Sequence, residues 1–447
     1  MKKFILLAMF TAQLLNVSAQ NWLPTGNGTN NGFNGGIDLK TYNGKLIAGG
    51  AFSQAGTANA NGVAMWDGTD WSIVDSSRND FFAVRPLVIF QGQLYGFVSD
   101  SDGTNKTGYM MRLDSSFKWH TVSNSIYYSH TWMGYVFSAC VYNNELYIGG
   151  GFDSIGNVNA NHIAKWDGSN WTPVGTGLNN EYITGLTVYN NELYAGGAFS
   201  LAGGVAVNNL ARWNGSVWSD VGGGIVPNYW AFRTMEVYNN ELYIGGDFDH
   251  AGGAPMANIT KWNGSVFSSV GGGLGFAGGS PEALKVYGNK LFLGGYFGAG
   301  LFHNQAGTWD GANFDSLGIG INAAPTGFEI YNCQLYAGGR FNGIGSANGV
   351  ALLDTLNCTT GVNEISLPDY SILIYPNPFT SQTTISFSVE QRNTIVRIMD
   401  ILGKEIKTIN FTGKQLTIEK ENIKAGIYFV QTIDEKKNVI NNKIIIQ

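Results

Sequence analysis

Charge is scarce in this chain. Lys, Arg, Asp and Glu make up 13% of its 447 residues, and the formal net charge is −6. Between Gln20 and Thr360 there are 14 Lys/Arg against 23 Asp/Glu; from Gly361 to Gln447 there are 10 against 9. Neither stretch holds the basic stripe that a phosphate backbone demands, so nucleic acid is not an expected partner. Three cysteines, Cys140, Cys333 and Cys358, are too few for a disulfide scaffold. The histidines (His120, His130, His162, His250 and His303) are scattered without H-E-x-x-H or similar spacing, so neither a metal nor a cofactor is indicated. No G-x-S-x-G elbow, Walker loop or S-x-D-x-G-x-x-W box is present. Paired carboxylates stay open as a possibility, because two drawn from distant parts of a chain leave no spacing to read. Past residue 19 no apolar run is long enough to cross a bilayer, so no transmembrane segment is expected in the mature protein.

What is present begins at the first residues. Lys2 and Lys3 precede an apolar run from Phe4 to Leu15 and then Val17-Ser18-Ala19, the charge, core and small-residue site of a secretory signal over 1–19. No cysteine follows that site, which argues against a lipid anchor. The mature chain is expected to be exported and soluble. Of 62 glycines only Gly361, Gly403, Gly413 and Gly426 lie beyond residue 360. That shift divides the chain into two folded units, 20–360 and 369–447, with a linker over 361–368.

Internal repetition is the strongest signal. "VYNNELYIGGGF" (141–152), "VYNNELYAGGAF" (188–199) and "VYNNELYIGGDF" (237–248) are near copies. Weaker copies stand at 41–52, 286–297 and 330–341, and an eroded one, "IFQGQLYGFVSD", at 89–100. The leading aromatics are Tyr42, Phe90, Tyr142, Tyr189, Tyr238, Tyr287 and Tyr331, which marks seven units of 44 to 52 residues. Each unit reads as four strands. A hairpin over Asn-Asn or Asn-Gly comes first, and a second hairpin runs through a Trp, a turn such as "NGS" and another aromatic. The recurring tryptophans Trp66, Trp166, Trp213, Trp262 and Trp309 read as packing between units. The paired glycines suit a place where backbones approach closely. The expectation is an all-β, seven-bladed β-propeller.

The last unit lacks its fourth strand. "NWLPTG" at 21–26 matches the fourth-strand text "NWTPVG" at 170–175, so the N-terminal segment is expected to complete the last blade and close the ring, leaving no open edge. With its "GGxF…A-K-W-D-G-S-x-W-x-x-V-G" text, the region 21–358 resembles kelch-like propellers of the galactose-oxidase type. That resemblance implies a fold and leaves function open, since propellers serve many roles. The copper site of the oxidases, with its Tyr and His ligands, does not map onto this chain.

From residue 369 the text turns to short alternating strands, which predict a small immunoglobulin-like β-sandwich. Within it lie "YPNP" (Tyr375, Pro376, Asn377, Pro378), "DILGK" (Asp400, Gly403, Lys404), "AGIY" (Gly426, Tyr428) and Lys443. In this order the words resemble the C-terminal sorting domain of type IX secretion, the Por secretion type. The resemblance implies passage through the periplasm, the outer-membrane secretion machinery as partner, and a secreted or cell-surface destination.

Candidate ligand residues lie on the blade-to-blade connections. Phe82, Tyr135, Tyr182 and Trp230 stand seven or eight residues before successive repeat aromatics, with Tyr127, Tyr128, Trp132 and Tyr229 nearby. Aromatic faces beside Asn and Asp suit sugar rings; the same rings also serve as core caps. "DSDGTN" (100–105) has oxygen-rich calcium-loop chemistry without the twelve-residue spacing or closing Glu, and reads as a turn. "DSI" (153–155), "DSL" (315–317) and "DTL" (354–356) match a short O-glycosylation pattern. Cys333 and Cys358 belong to the seventh unit and are expected to emerge on one face, where a disulfide would pin the chain near its closure; Cys140 is expected buried on an innermost strand. The functional expectation is a non-catalytic surface or secreted binding protein for glycan or protein ligands. The alternatives are an extracellular carbohydrate-active enzyme using carboxylates from several blades and a structural surface component.

Overall fold

The computed structural model describes residues 22–26, 28–29, 36–78, 81, 83–99, 107–122, 126–127, 136–179, 182–227, 232–275, 279–297, 302, 305–318, 321–340, 349–353, 372–375, 377, 379–400, 404–421, 423–433 and 439–446. These residues fall into two compact units, divided after Cys358. Both are all-β and antiparallel in their named strand pairs, and no helix occurs among the described residues.

In the larger unit, four strands recur as one sheet. The fourth repeat shows the pattern: Tyr182–Tyr189, Glu192–Ala198, Leu210–Trp213 and Trp218–Asp220 pair in chain order. Among the described residues seven sheets are built this way, the second extended by short strands to seven in all. The hairpin turns explain the Asn-Asn text. Asn190 and Asn191 hold φ of 48° and 61°, the left-handed pair that a tight two-residue hairpin needs. The second turn is held by its leading Asp or Asn; Asp167 Oδ1 accepts from Ser169 N at 2.6 Å and Asn170 N at 2.7 Å.

The first strands of the seven sheets touch one another in a closed circuit, from Asp38–Tyr42 round to Pro325–Tyr331 and back. They therefore surround a common axis, in a propeller-like arrangement. The core lies between successive sheets. Tyr142 and Ile163 pack with Ile183, Phe199 and Trp213 in one cluster, and Leu39 and Leu46 pack with Tyr331, Tyr336 and Val350 in another that joins the last sheet to the first. The repeat tyrosines tie these neighbours together through their hydroxyls. Tyr142 Oη donates to Asn191 O (3.1 Å), Tyr189 to Asn240 O (2.9 Å), Tyr238 to Asn289 O (2.8 Å), Tyr287 to Cys333 O (2.6 Å) and Tyr331 to Gly44 O (3.2 Å). The first glycine of each pair sits where the next sheet presses in. A methyl group on Gly338 would come within 2.8 Å of Ile37 Cγ2.

The N-terminal strand does complete the last sheet. Trp22–Pro24 pairs with Val350–Leu353 in the register Trp22↔Leu353, Leu23↔Leu352 and Pro24↔Ala351. Thr25 O then accepts from Trp71 Nε1 at 3.0 Å, the bond that Val174 O makes with Trp218 Nε1 at 3.2 Å in the middle of the chain. Matching text performs the same task at both places.

In the smaller unit, Ile372–Tyr375, Gln382–Asp400, Gly426–Ile433 and Val439–Ile446 form one sheet in that order, with Glu405–Glu419 also paired to the long second strand. The long strand changes register near Gln391 and again at Ile398/Met399. Phe379, Ile385, Phe387, Val396, Ile398, Ile418, Val430, Ile444 and Ile446 form its buried core.

Candidate functional site

An innermost strand is the edge of its sheet, so N–H groups on its axial side lack a strand partner and must find another acceptor. Side chains of the preceding sheet supply it. Asp38 Oδ2 accepts from Leu87 N at 2.6 Å, Ser138 Oγ from Leu186 N at 2.9 Å, Thr326 Oγ1 from Ile37 N at 3.0 Å and Glu329 Oε1 from Thr41 N at 3.2 Å. Polar residues on the inner strands are thus first of all latches between sheets.

A second local feature shapes the axial mouth. Five inner strands carry a register shift near their start, which leaves Arg85-Pro86, Phe137, Thr184, Glu282 and Thr326 unpaired in the ladder. A bulge of this kind re-aims a side chain, and bulges gather at barrel rims and beside active sites. Each of Arg85, Phe137, Thr184, Glu282 and Thr326 stands five residues before its repeat aromatic. The residue type there changes from copy to copy, as do its immediate neighbours, while the strand pairing repeats. All five are half-buried.

Between the starts of four inner strands lies a cavity of about 270 Å³, lined by Asp38, Lys40, Arg85, Phe137, Ser138 and Thr326 together with neighbouring backbone and apolar residues. The carboxylates of the inner strands are poorly solvated. Burial pushes the Asp38 pKa up, opposed by Lys40 and by the Leu87 N–H bond. Burial likewise raises Glu236 against Lys285, and Glu282 against Arg233 and Arg340. Arg233 Nε lies 3.4 Å from Glu282 Oε1, and Lys285 Nζ lies 3.3 Å from Glu329 Oε2. Among the described residues no group of three or more His, Cys, Asp or Glu is placed to hold a metal ion.

The aromatic candidates divide. Tyr127 is half exposed, at 49%, on a two-residue strand beside Thr107–Leu113. Tyr182 is 8% exposed and so does not form the exposed rim expected of it: it is already paired with Ala198 in the ladder, and its ring packs edge-on to Phe137 at 6.1 Å. Phe82, Tyr128, Trp132, Tyr135, Tyr229 and Trp230 lie outside the described residues, as do "DSDGTN", Pro376, Pro378, Gly403 and Cys358. Cys333 sits at φ 57° in its hairpin turn; the expected pairing with Cys358 therefore also lies outside what is described. Cys140 is half-buried on its inner strand rather than fully enclosed, and loss of solvation pushes its thiol up to about 12. The bulged residues escaped sequence reasoning, because the columns on either side of them vary as much as they do.

In the smaller unit the short words come together across the sheet. Asp400 stands opposite Tyr428, which stands opposite Ile444, and Gly426 stands opposite Ile446. Asp400 Oδ1 accepts from Lys404 N at 2.9 Å, and Tyr428 Oη donates to Lys424 O at 3.0 Å.

Residues 373–447 match the family described as the secretion system C-terminal sorting domain, of the Por secretion type. A sorting domain at this end marks a secreted or surface protein exported through it, with the outer-membrane type IX machinery as partner. No helix among the described residues is long and apolar enough to cross a membrane. Over 87 residues, 19% of the chain, the sequence is 32% identical to an endo-acting ulvan lyase of Formosa agariphila, and it spans 17% of that enzyme. Among solved structures, PorZ of Porphyromonas gingivalis, an essential surface component of the type-IX secretion system there, aligns over 92% of this chain and 59% of its own, at 15% identity and TM-score 0.47. The extracellular domain of a protein described as a hybrid two component system of B. thetaiotaomicron aligns over 96% and 59%, at 15% identity and TM-score 0.49. Likenesses this distant bear on neither ligand nor activity.

Proposed function

We propose that the chain is a secreted or cell-surface binding protein. A signal over 1–19 and the sorting domain over 369–447 export it, and a seven-bladed propeller of the kelch-like kind, over 20–360, holds a glycan at its axial mouth. The linker over 361–368 joins that propeller to an immunoglobulin-like sorting sandwich. The observation that carries this reading is the cavity between four inner strands, to which three of the bulges bring Arg85, Phe137 and Thr326. Its size lies just below the usual range of ligand sites, about 300–1,000 Å³, and suits a single sugar unit. Phe137 offers a ring for sugar C–H groups, and Ser138 offers a hydroxyl donor. A protein epitope would call for a broader surface with an apolar centre.

Glycan-array binding of the full chain, compared with Phe137→Ala, tests this. The reading expects binding that falls about tenfold in the variant, in line with loss of one aromatic contact; absence of binding by the parent, with capture of a surface protein instead, would replace glycan by protein. One observation favours a second reading. Asp38 lies in the cavity with its pKa raised by burial, and the charge of Glu329 on the last sheet acts in the same direction. Turnover of an array hit that Asp38→Asn abolishes would make the protein a carbohydrate-active enzyme.

A further inference from the structure

We infer that the axial cavity selects a sugar bearing an anionic group, a carboxylate or a sulfate ester, held between Lys40 and Arg85. The inference rests on the glycan-binding reading and narrows it to a ligand class. Of the three ionisable residues that line the cavity, two are cationic and one is Asp38. Asp38 is committed already, its Oδ2 accepting the Leu87 N–H at 2.6 Å.

Lys40 differs from several other cations of the sheets, which are ion-paired. Lys165 meets Glu145 at 2.9 Å, Arg212 meets Glu192 at 3.1 Å, Lys261 meets Glu241 at 2.7 Å, Arg233 meets Glu282 at 3.4 Å and Lys285 meets Glu329 at 3.3 Å. Lys40 makes no ion pair among the described residues, although it is half-buried on an inner strand. Its charge is felt by Asp38 and Glu236 without a direct ion pair to either, so an anionic ligand would give the ammonium a direct partner. Arg85 is brought to the same cavity by the bulge at Val84/Leu87, and its planar fork matches a carboxylate or sulfate better than a neutral hydroxyl. Ser138 Oγ accepts from Leu186 N, which leaves its hydroxyl proton to donate to a ligand. Phe137 lies alongside for the sugar ring itself.

Two matched pairs of probes test the inference on the full chain: oligogalacturonate against its methyl ester, and a sulfated galactan oligosaccharide against its desulfated form. The charged member of at least one pair should bind about tenfold or more tighter than its neutral partner, the scale of a charge-assisted contact. Which pair responds identifies the source of the anion. Lys40→Gln should lose most of that preference while keeping the parent melting temperature. In the unmodified protein added salt should weaken the charged probe and spare the neutral one, a readout that needs no variant. Equal binding of charged and neutral members overturns the inference and leaves glycan binding standing. Binding of no probe overturns the inference, and the array experiment above then decides separately whether any glycan is bound.

Discussion

Asp75 shows how a single side chain can hold an irregular connection. Its carboxylate is almost wholly enclosed, its side chain 1% exposed, yet it accepts from Ser77 N at 2.9 Å, Ser77 Oγ at 2.7 Å, Lys118 Nζ at 3.0 Å and Trp119 N at 2.9 Å. Burial by itself would raise its pKa, but the bonds from Ser77, Trp119 and Lys118 outweigh burial and bring it far below the carboxylate range. A carboxylate depressed on folding gives stability that is complete above its unfolded value, about 3.9, and is lost as pH falls below that. Asp75→Asn should therefore cost about 1–3 kcal/mol at pH 7. Urea melts at pH 7 and pH 3 should show a smaller difference between the two proteins in acid; an equal difference at both would remove the linkage. Nothing in the spacing around Asp75 announces this role, because its partners Lys118 and Trp119 stand 43 and 44 residues away.

At the scale of strands, much was legible, because a repeat prints the same physical demand several times. Asn-Asn marks left-handed turns, Gly-Gly marks contact with the next sheet, and the repeat tyrosine marks a hydroxyl that reaches the next hairpin. The closing strand was legible for the same reason: "NWLPTG" carries a fourth strand's text without the three strands before it. Trp22 is 2% exposed, stacks on Phe328 at 6.3 Å and pairs with Leu353. Trp22→Ala should cost about 3–5 kcal/mol and should expose the amides of Val350–Leu353 to hydrogen exchange ahead of the inner strands. Unchanged protection there would mean that the N-terminal strand does not close the ring. The bulges were not legible. They arise where adjacent inner strands crowd round the axis, a register event that leaves no composition signature, so Arg85, Phe137 and Thr326 look like ordinary strand residues in the text. Tyr182 misled in the opposite direction. Its distance from the repeat aromatic placed it on a connection, whereas the strand begins at Tyr182 itself and turns its ring into the contact between sheets.

Over the whole molecule, two units divide the labour. The smaller carries the family match for secretion sorting, and its short words meet across one end of a sheet. The larger spends its sequence on sameness, with seven similar sheets, while the bulged positions of its inner strands differ from copy to copy. That division explains why class was easier to read than ligand: export and architecture are written in repeated or ordered words, while recognition is written once per sheet in residues that have no reason to resemble one another. The account stands on the axial mouth being where a ligand sits. A crystal structure of the full chain with the best-binding oligosaccharide tests this most directly. It should show the sugar in the cavity between Arg85, Phe137 and Thr326, with its anionic group toward Lys40; density on the outer strands, or at the turn-lined opposite end of the axis, would contradict it.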